Sequence, residues 1–220
     1  MPRKSCLNSN RTNKKETEMK LYFSPGACSL SPHIVLREAG ADFDLQQVDT
    51  RSKEMVGSDS LFTDINPKGS VPFLQLDDGE VITEGAVIVQ YIGDKNPESG
   101  LIPPAGSMER IRGQEWLSFI GSDLHKGFGP IFNPKYMPEA APVAKGLLEI
   151  RLAYVAGELE GKDYLMGDKF TAPDAYLFTI LNWAKKVGID LDQWPDIPAY
   201  MARVAGRPAV QETLKAEGLI

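Results

Sequence analysis

The chain has 220 residues, 42% of them hydrophobic and 25% charged, with a formal net charge of −6. That is ordinary globular composition, ample for one large domain or two small ones, and the acidic balance excludes a general electrostatic grip on nucleic acid. No apolar run approaches the length of a membrane span, and two cysteines, Cys6 and Cys28, form no disulfide framework but suit a reducing compartment.

Residues 1–18 are rich in Lys, Arg, Asn, Ser and Thr and lack apolar periodicity. They contain no apolar segment of the kind a signal peptide needs. They read as a disordered tail, as residues upstream of a start at Met19, or as a basic interaction arm. From Met19 the pattern changes. Residues 21–23 are a short apolar run expected to form a buried strand, and Pro25-Gly26 forces a turn. A helical pattern follows, with Ile34, Val35 and Leu36 on its inner side and Gly40 at its end. Pro32 is harmless only in the first turn, where the backbone N–H has no partner to lose, so the helix must start at about residues 28–31. This places Cys28 against free N–H groups and the positive end of the helix dipole, which favours the thiolate. The residues alone leave two readings of Cys28 open: a small buried hydrophobe at a strand–helix junction, or a reactive or ligand-binding thiol.

Residues 43–48 are a candidate second strand, followed by a polar stretch that would hold a loop and a short helix. Pro67 and Gly69 make a turn, residues 73–76 alternate as a strand, Asp78-Gly79 is a hairpin signal, and residues 81–83 return. Residues 84–96 put Val87, Ile88, Tyr91 and Ile92 on one helical face, and Pro97 ends it. The Pro/Gly-rich residues 101–106 are the candidate linker. Beyond them the pattern is helical: 108–128, 139–160, an apolar central helix over 172–187, and short helices over 197–205 and 208–217. Thr171 and Asp174 have the form of a capping box, a folding device. The only histidines are His33, read as structural with a backbone partner, and His125. A structural zinc site needs four spaced ligands, so no metal is expected.

This α+β order resembles the cytosolic glutathione S-transferases: a thioredoxin-like N-terminal domain (19–100), a linker, and an all-α C-terminal domain (107–220). Pro25-Gly-Ala-Cys-Ser-Leu-Ser-Pro-His33 resembles the opening of the bacterial beta class. So do Asn66-Pro-Lys-Gly-Ser-Val-Pro72, Thr83-Glu-Gly85, Leu124-His-Lys-Gly-Phe128, Ala172-Pro-Asp-Ala-Tyr-Leu-Phe178 and Arg207-Pro-Ala-Val-Gln, in the family's order and spacing. The resemblance implies a cis proline at Val71-Pro72, with Val71 pairing its backbone to a peptide-like ligand. It implies that Glu84 and Gly85 hold the γ-glutamyl unit of glutathione, that Lys53 reaches the tripeptide, and that His125 faces the Cys28 sulfur across the cleft. Ser118, Ser122 and Asp123 lie near the same stretch. Ser118 stands seven residues before His125, on the same face of a regular helix, where the family usually has Asn. Phe128, Ile131, Phe132 and Tyr136 are the candidate hydrophobic substrate residues. Phe23-Ser24 falls where other classes place a catalytic tyrosine, which favours Cys28 instead.

The resemblance therefore implies a cytoplasmic, homodimeric enzyme of the detoxification type that uses glutathione as co-substrate, without nucleic-acid or membrane partners, with Asp123 acting across the subunit interface. Two chemistries are open. Bound glutathione thiolate conjugates a hydrophobic electrophile, or Cys28 forms a mixed disulfide with glutathione that a second thiol resolves. A cysteine at the site favours the second, and reductive dehalogenation and peroxide reduction belong to the same repertoire. The rival from another class is a transferase-fold binding protein, a ligand carrier or docking scaffold with a decayed site.

Overall fold

The computed structural model describes residues 19–133, 135 and 138–220, so the 1–18 tail and Tyr136 lie outside the described residues. The N-terminal sheet has four strands in the order β2-β1-β3-β4: β1 (Met19–Phe23), β2 (Asp44–Gln47), β3 (Phe73–Leu76) and β4 (Val81–Thr83). β1 runs parallel to β2 and antiparallel to β3, and β3 and β4 form the hairpin that Asp78-Gly79 announces. β1 is central, so Leu21 and Phe23 on one face and Tyr22 on the other are all buried.

The first face packs on α1 (Leu30–Glu38) and α2 (Gly85–Lys95). The second carries a smaller core in which the rings of Tyr22, Phe62 and Phe73 lie 5.3–5.7 Å apart, with Val48 and Val71 beside them. Phe62 belongs to a single 3₁₀ turn, Phe62–Asp64. The short helix expected between β2 and β3 is this 3₁₀ turn, and no α-helix forms there among the described residues. The stretch is too polar to bury a helical face, and it docks mainly through Phe62, with Met55 packed beside it.

The C-terminal helices are α3 (Met108–Phe119), α4 (Lys126–Phe132), α5 (Ala140–Leu159), α6 (Ala172–Leu181), α7 (Asp196–Ala205) and α8 (Pro208–Ala216). The helix expected over 108–128 is longer than predicted and interrupted: Ile120–His125 is a π-helical turn joining α3 to α4. The central helix α6 stops six residues before the expected end, where the Asn182 side chain bonds the Phe178 carbonyl and Ala184–Val187 tightens to 3₁₀.

One continuous core joins the two halves, from Leu21 through Ile34, Phe178 and Leu181 to Leu214. The linker is part of it. Leu101 and Ile102 are buried, the Leu101 carbonyl accepts from Ala172 N at 2.9 Å, and a methyl group on Gly93 would overlap Ile102. Two bidentate pairs fasten the halves at the rim: Arg110 with Asp94, at 2.7 Å to each oxygen, and Arg207 with Glu38 at 2.6 and 2.8 Å.

Candidate active site

A cleft of about 1070 Å³ opens where the 24–28 turn, the 50–53 and 68–72 loops and the start of α2 meet the π turn, α4 and α6. Cys28 lies in the turn before Ser29, the residue that precedes α1, and Pro32 sits in the helix's first turn as its chemistry requires. The Cys28 thiol donates to the Val71 carbonyl at 3.2 Å. The Val71–Pro72 bond is cis, as expected.

The expectation of a favoured thiolate fails here. Burial pushes the Cys28 thiol up to about 11, against smaller lowering contributions from the backbone N–H groups of Cys28 and Ser29. The helix N-terminus is present, but the sulfur is enclosed between two chain segments, and removing an ionised sulfur from water outweighs two N–H groups.

The turn itself is held from the C-terminal half. The Gly26 carbonyl accepts from Trp183 Nε1 at 2.9 Å, and Gly26 N donates to Glu217 Oε2 at 2.8 Å. Glu217 Oε1 also lies 2.8 Å from His33 Nδ1, with both side chains fully buried. Arg37 Nε donates to His33 Nε2 at 3.3 Å, so Nε2 is the acceptor and Nδ1 carries the proton given to Glu217. His33 is therefore structural as expected, but its partner is a carboxylate 184 residues away rather than a backbone group.

His125 ends the π turn and faces the cleft. Its Nδ1 lies 2.8 Å from the hydroxyl of Tyr176, and its ring lies 5.0 Å from that of Trp183. Burial raises the Tyr176 phenol well above its usual range and lowers the His125 imidazole. Tyr176 is buried, and among the described residues His125 Nδ1 is the hydroxyl's hydrogen-bond partner. If Nδ1 were the donor, the phenol proton would have no protein acceptor among the described residues and could turn only to the cleft. Tyr176 therefore donates, and His125 carries its proton on Nε2.

Glu84, the residue before α2, takes a φ of 69° and lines the cleft beside Gly85. Its carboxylate accepts from Lys68 Nζ at 2.8 Å, which holds it below the usual carboxylate range. Lys53, with a φ of 66°, extends into the cleft and donates to the Gly69 carbonyl at 2.8 Å.

Thus Cys28, Lys53, Val71, Pro72, Glu84, Gly85, Ser122, His125 and Phe132 share one cleft. Ser118, Asp123, Phe128 and Ile131 do not line it. A π turn carries one extra residue, rotating what lies beyond it by about 100°, so Ser118 and His125 no longer share a face. Asp123 turns to Arg151, with Nε to Oδ1 at 3.1 Å. Phe128 is fully buried, stacked on Phe132 and edge-on to Trp183, and Ile131 packs on the core. Sequence reasoning missed Tyr176, Trp183, Lys68 and Lys186 as cleft residues. Tyr176 was visible inside the Ala172–Phe178 motif but carried no signal of direction. Among the described residues no group of three metal-ligating side chains occurs, and no helix is long and apolar enough to cross a membrane.

Two family profiles match the chain: "Glutathione S-transferase, N-terminal domain" over residues 26–95 and "Glutathione S-transferase, C-terminal domain" over 122–208. The chain is 47% identical to glutathione S-transferase GstA of Escherichia coli O157:H7, over 91% of this chain and all of that one. A sphingomonad glutathione S-transferase solved in complex with glutathione is 46% identical, with a TM-score of 0.87, covering 91% of this chain and 100% of its own. The bacterial beta class enzyme of Sphingomonas chungbukensis gives 44%, 0.87, 91% and 100% in the same terms. These likenesses support a catalytic protein over a binding protein that shares its fold.

Proposed function

The chain belongs to the glutathione S-transferase family, in its bacterial beta class, and from that membership we propose that bound glutathione itself supplies the reacting sulfur, with Cys28 assisting as an un-ionised thiol. The protein is a glutathione S-transferase with glutathione as co-substrate. The observation that supports this role for Cys28 is its bond to the Val71 carbonyl together with its burial, which leave it a donor rather than a nucleophile.

In this reading the tripeptide's cysteinyl backbone pairs with Val71 as an added strand. Its γ-glutamyl carboxylate meets the free N–H groups at the start of α2, and its ammonium meets Glu84. Its glycyl carboxylate lies toward Lys53. The tripeptide's cysteinyl N–H takes over the Val71 carbonyl, which frees the single Cys28 S–H to turn to the glutathione sulfur, and with the His125 Nε2–H it makes two donors that stabilise a thiolate. Attack on an electrophilic carbon forms the thioether and expels the leaving group with the bond's electron pair. Electrophiles enter against Phe132, Trp183 and the His125 ring. The 19–100 and 107–220 units act as glutathione-binding and electrophile-binding domains. A free Cys28 thiol suits a reducing compartment such as the cytoplasm.

The test is conjugation of 1-chloro-2,4-dinitrobenzene by Cys28→Ala. Loss of one hydrogen bond to a charged sulfur should lower kcat/KM by about ten- to a hundredfold without abolishing turnover. Complete loss of conjugation, with a dithiothreitol-reversible glutathionyl adduct on the native Cys28, would instead establish the mixed-disulfide chemistry.

We also propose a homodimer through α5. Val143, Leu147, Ile150 and Tyr154 are exposed hydrophobics within about 60° of one another around the helix, facing away from its buried Leu148–Leu152–Val155 side. Tyr154 continues onto Trp116 and Phe119 of α3, at ring distances of 6.0 and 5.4 Å. Ile150→Glu should shift the sedimenting species from dimer to monomer. An unchanged dimer would rule out this face.

A further inference from the structure

We propose that Lys186 selects the second substrate, and that the preferred electrophiles are aromatic rings carrying an anionic substituent such as a carboxylate. This rests on the transferase reading above. Five cationic side chains line the cleft, Arg51, Lys53, Lys68, Lys126 and Lys186, against a single carboxylate, Glu84. The chain as a whole carries a net −6, so the cleft is an electropositive island in an acidic protein. A recess of one sign concentrates field and draws ligands of the opposite sign.

Glutathione accounts for part of this charge. Its two carboxylates and one ammonium give a net of −1, or −2 as the thiolate. Lys68 is already paired with Glu84, and Lys53 stands among the glutathione-facing loops. Lys126 begins α4 beside His125, and its charge acts on Glu84 across the cleft.

Lys186 stands elsewhere. It lies three residues beyond Trp183, and its Nζ is 3.6 Å from where a Cβ on Gly26 would be. No carboxylate pairs with it among the described residues. Beside it the rings of Phe132 and Trp183 lie 5.5 Å apart, and those of Trp183 and His125 5.0 Å, making an aromatic wall that leads to the cysteine. A flat ring against that wall with a carboxylate on Lys186 would point its reactive carbon back toward Cys28 and the glutathione sulfur. The lysine's long stem and compact ammonium suit a point contact with an anion at the rim.

The step for 4-chloro-3-nitrobenzoate is balanced. The glutathione thiolate adds to the carbon bearing chlorine, the ring holds the negative charge, and chloride leaves with the C–Cl electron pair to give the thioether. The experiment compares this compound with 4-chloro-3-nitrobenzamide, which has the same ring without the charge. The reading is the ratio of their kcat/KM values in wild type, Lys186→Gln and Lys186→Glu, which cancels their intrinsic reactivities. The ratio of anionic to neutral should fall about fivefold in the glutamine variant and about twenty-five-fold in the glutamate variant, as expected for an exposed ion pair first lost and then reversed, and 0.5 M salt should narrow the difference. A ratio that stays within twofold across the three proteins overturns the proposal.

The same ratio is read without turnover by calorimetric binding of the two product conjugates, S-(4-carboxy-2-nitrophenyl)glutathione and its carboxamide. Failure to turn over either chloride would therefore count against the transferase reading, while product affinities insensitive to Lys186 would overturn the selectivity.

Discussion

Alkylation of Cys28 by iodoacetamide is expected to climb steadily with pH and to show no plateau below about pH 10. The thiol is pushed up to about 11, so at pH 7 only about one molecule in ten thousand carries a thiolate. An ordinary cysteine holds a few per cent. Higher basicity makes the rare thiolate a better nucleophile and returns part of the loss, leaving a rate at pH 7 still about tenfold or more below that of a free thiol. Cys6→Ser leaves a single thiol, and the modified mass at each pH gives the profile. A plateau near pH 7 would show a thiolate held at the helix N-terminus and return Cys28 to the role of nucleophile. Stability follows the same shift. The folded state binds the Cys28 proton more tightly than the unfolded chain does, so the stabilisation is complete below about pH 8.5 and is lost as pH rises toward 11.

The raised Cys28 thiol departs from the sequence expectation for a physical reason. Pro32 and the apolar run correctly located the start of α1, and with it Cys28 at the strand–helix turn. A helix N-terminus lowers a thiol only while water or other charges keep the sulfur solvated. Enclosure by Val71 depends on a segment 43 residues away, and no local pattern encodes it. The same limit explains the other differences. β3, β4 and α2 were legible because alternation, Asp78-Gly79 and helical periodicity are local signals. The π turn at Ile120–His125 carries no such signal, and it decides which of Ser118 and His125 enters the cleft. Glu217, near the end of the chain, looks like a solvated terminal acid, yet it holds both His33 and the Gly26 turn. Phe128 has the right composition for a substrate wall, but it faces inward, where it stacks on Phe132 and meets Trp183 edge-on.

Asp174→Ala is expected to destabilise the fold by about 3–5 kcal/mol, the range for breaking a buried charged network from one side. Asp174 is fully buried. Its Oδ1 accepts from Leu165 N at 2.9 Å and from Tyr200 Oη at 3.2 Å, and its Oδ2 accepts from Thr171 N and Oγ1, both at 2.8 Å. Truncation leaves three buried donors without an acceptor, Leu165 N in the loop before α6 and Thr171 N and Oγ1 at its start, while Tyr200 Oη of α7 keeps only the Asp174 main-chain carbonyl at 3.1 Å. For a chain of this size the midpoint should drop by roughly 10 °C, measured by thermal melts. A drop of only a degree or two would mean that water fills the site and that the network is not the clasp it looks to be. Burial outweighs these four donors and pushes the carboxyl up to about 6, which gives the pH dependence its sign. The native state binds the Asp174 proton more tightly than the unfolded chain, so this group favours folding fully below about pH 4 and loses that contribution as pH rises through 6. Glu84 and Asp94 are shifted the other way, so their contributions are lost only in stronger acid. Between pH 4 and 6 the stability of the wild type relative to Asp174→Asn should therefore grow as pH falls. The direction of that slope separates a buried acid under desolvation from an ordinary cap held by its hydrogen bonds.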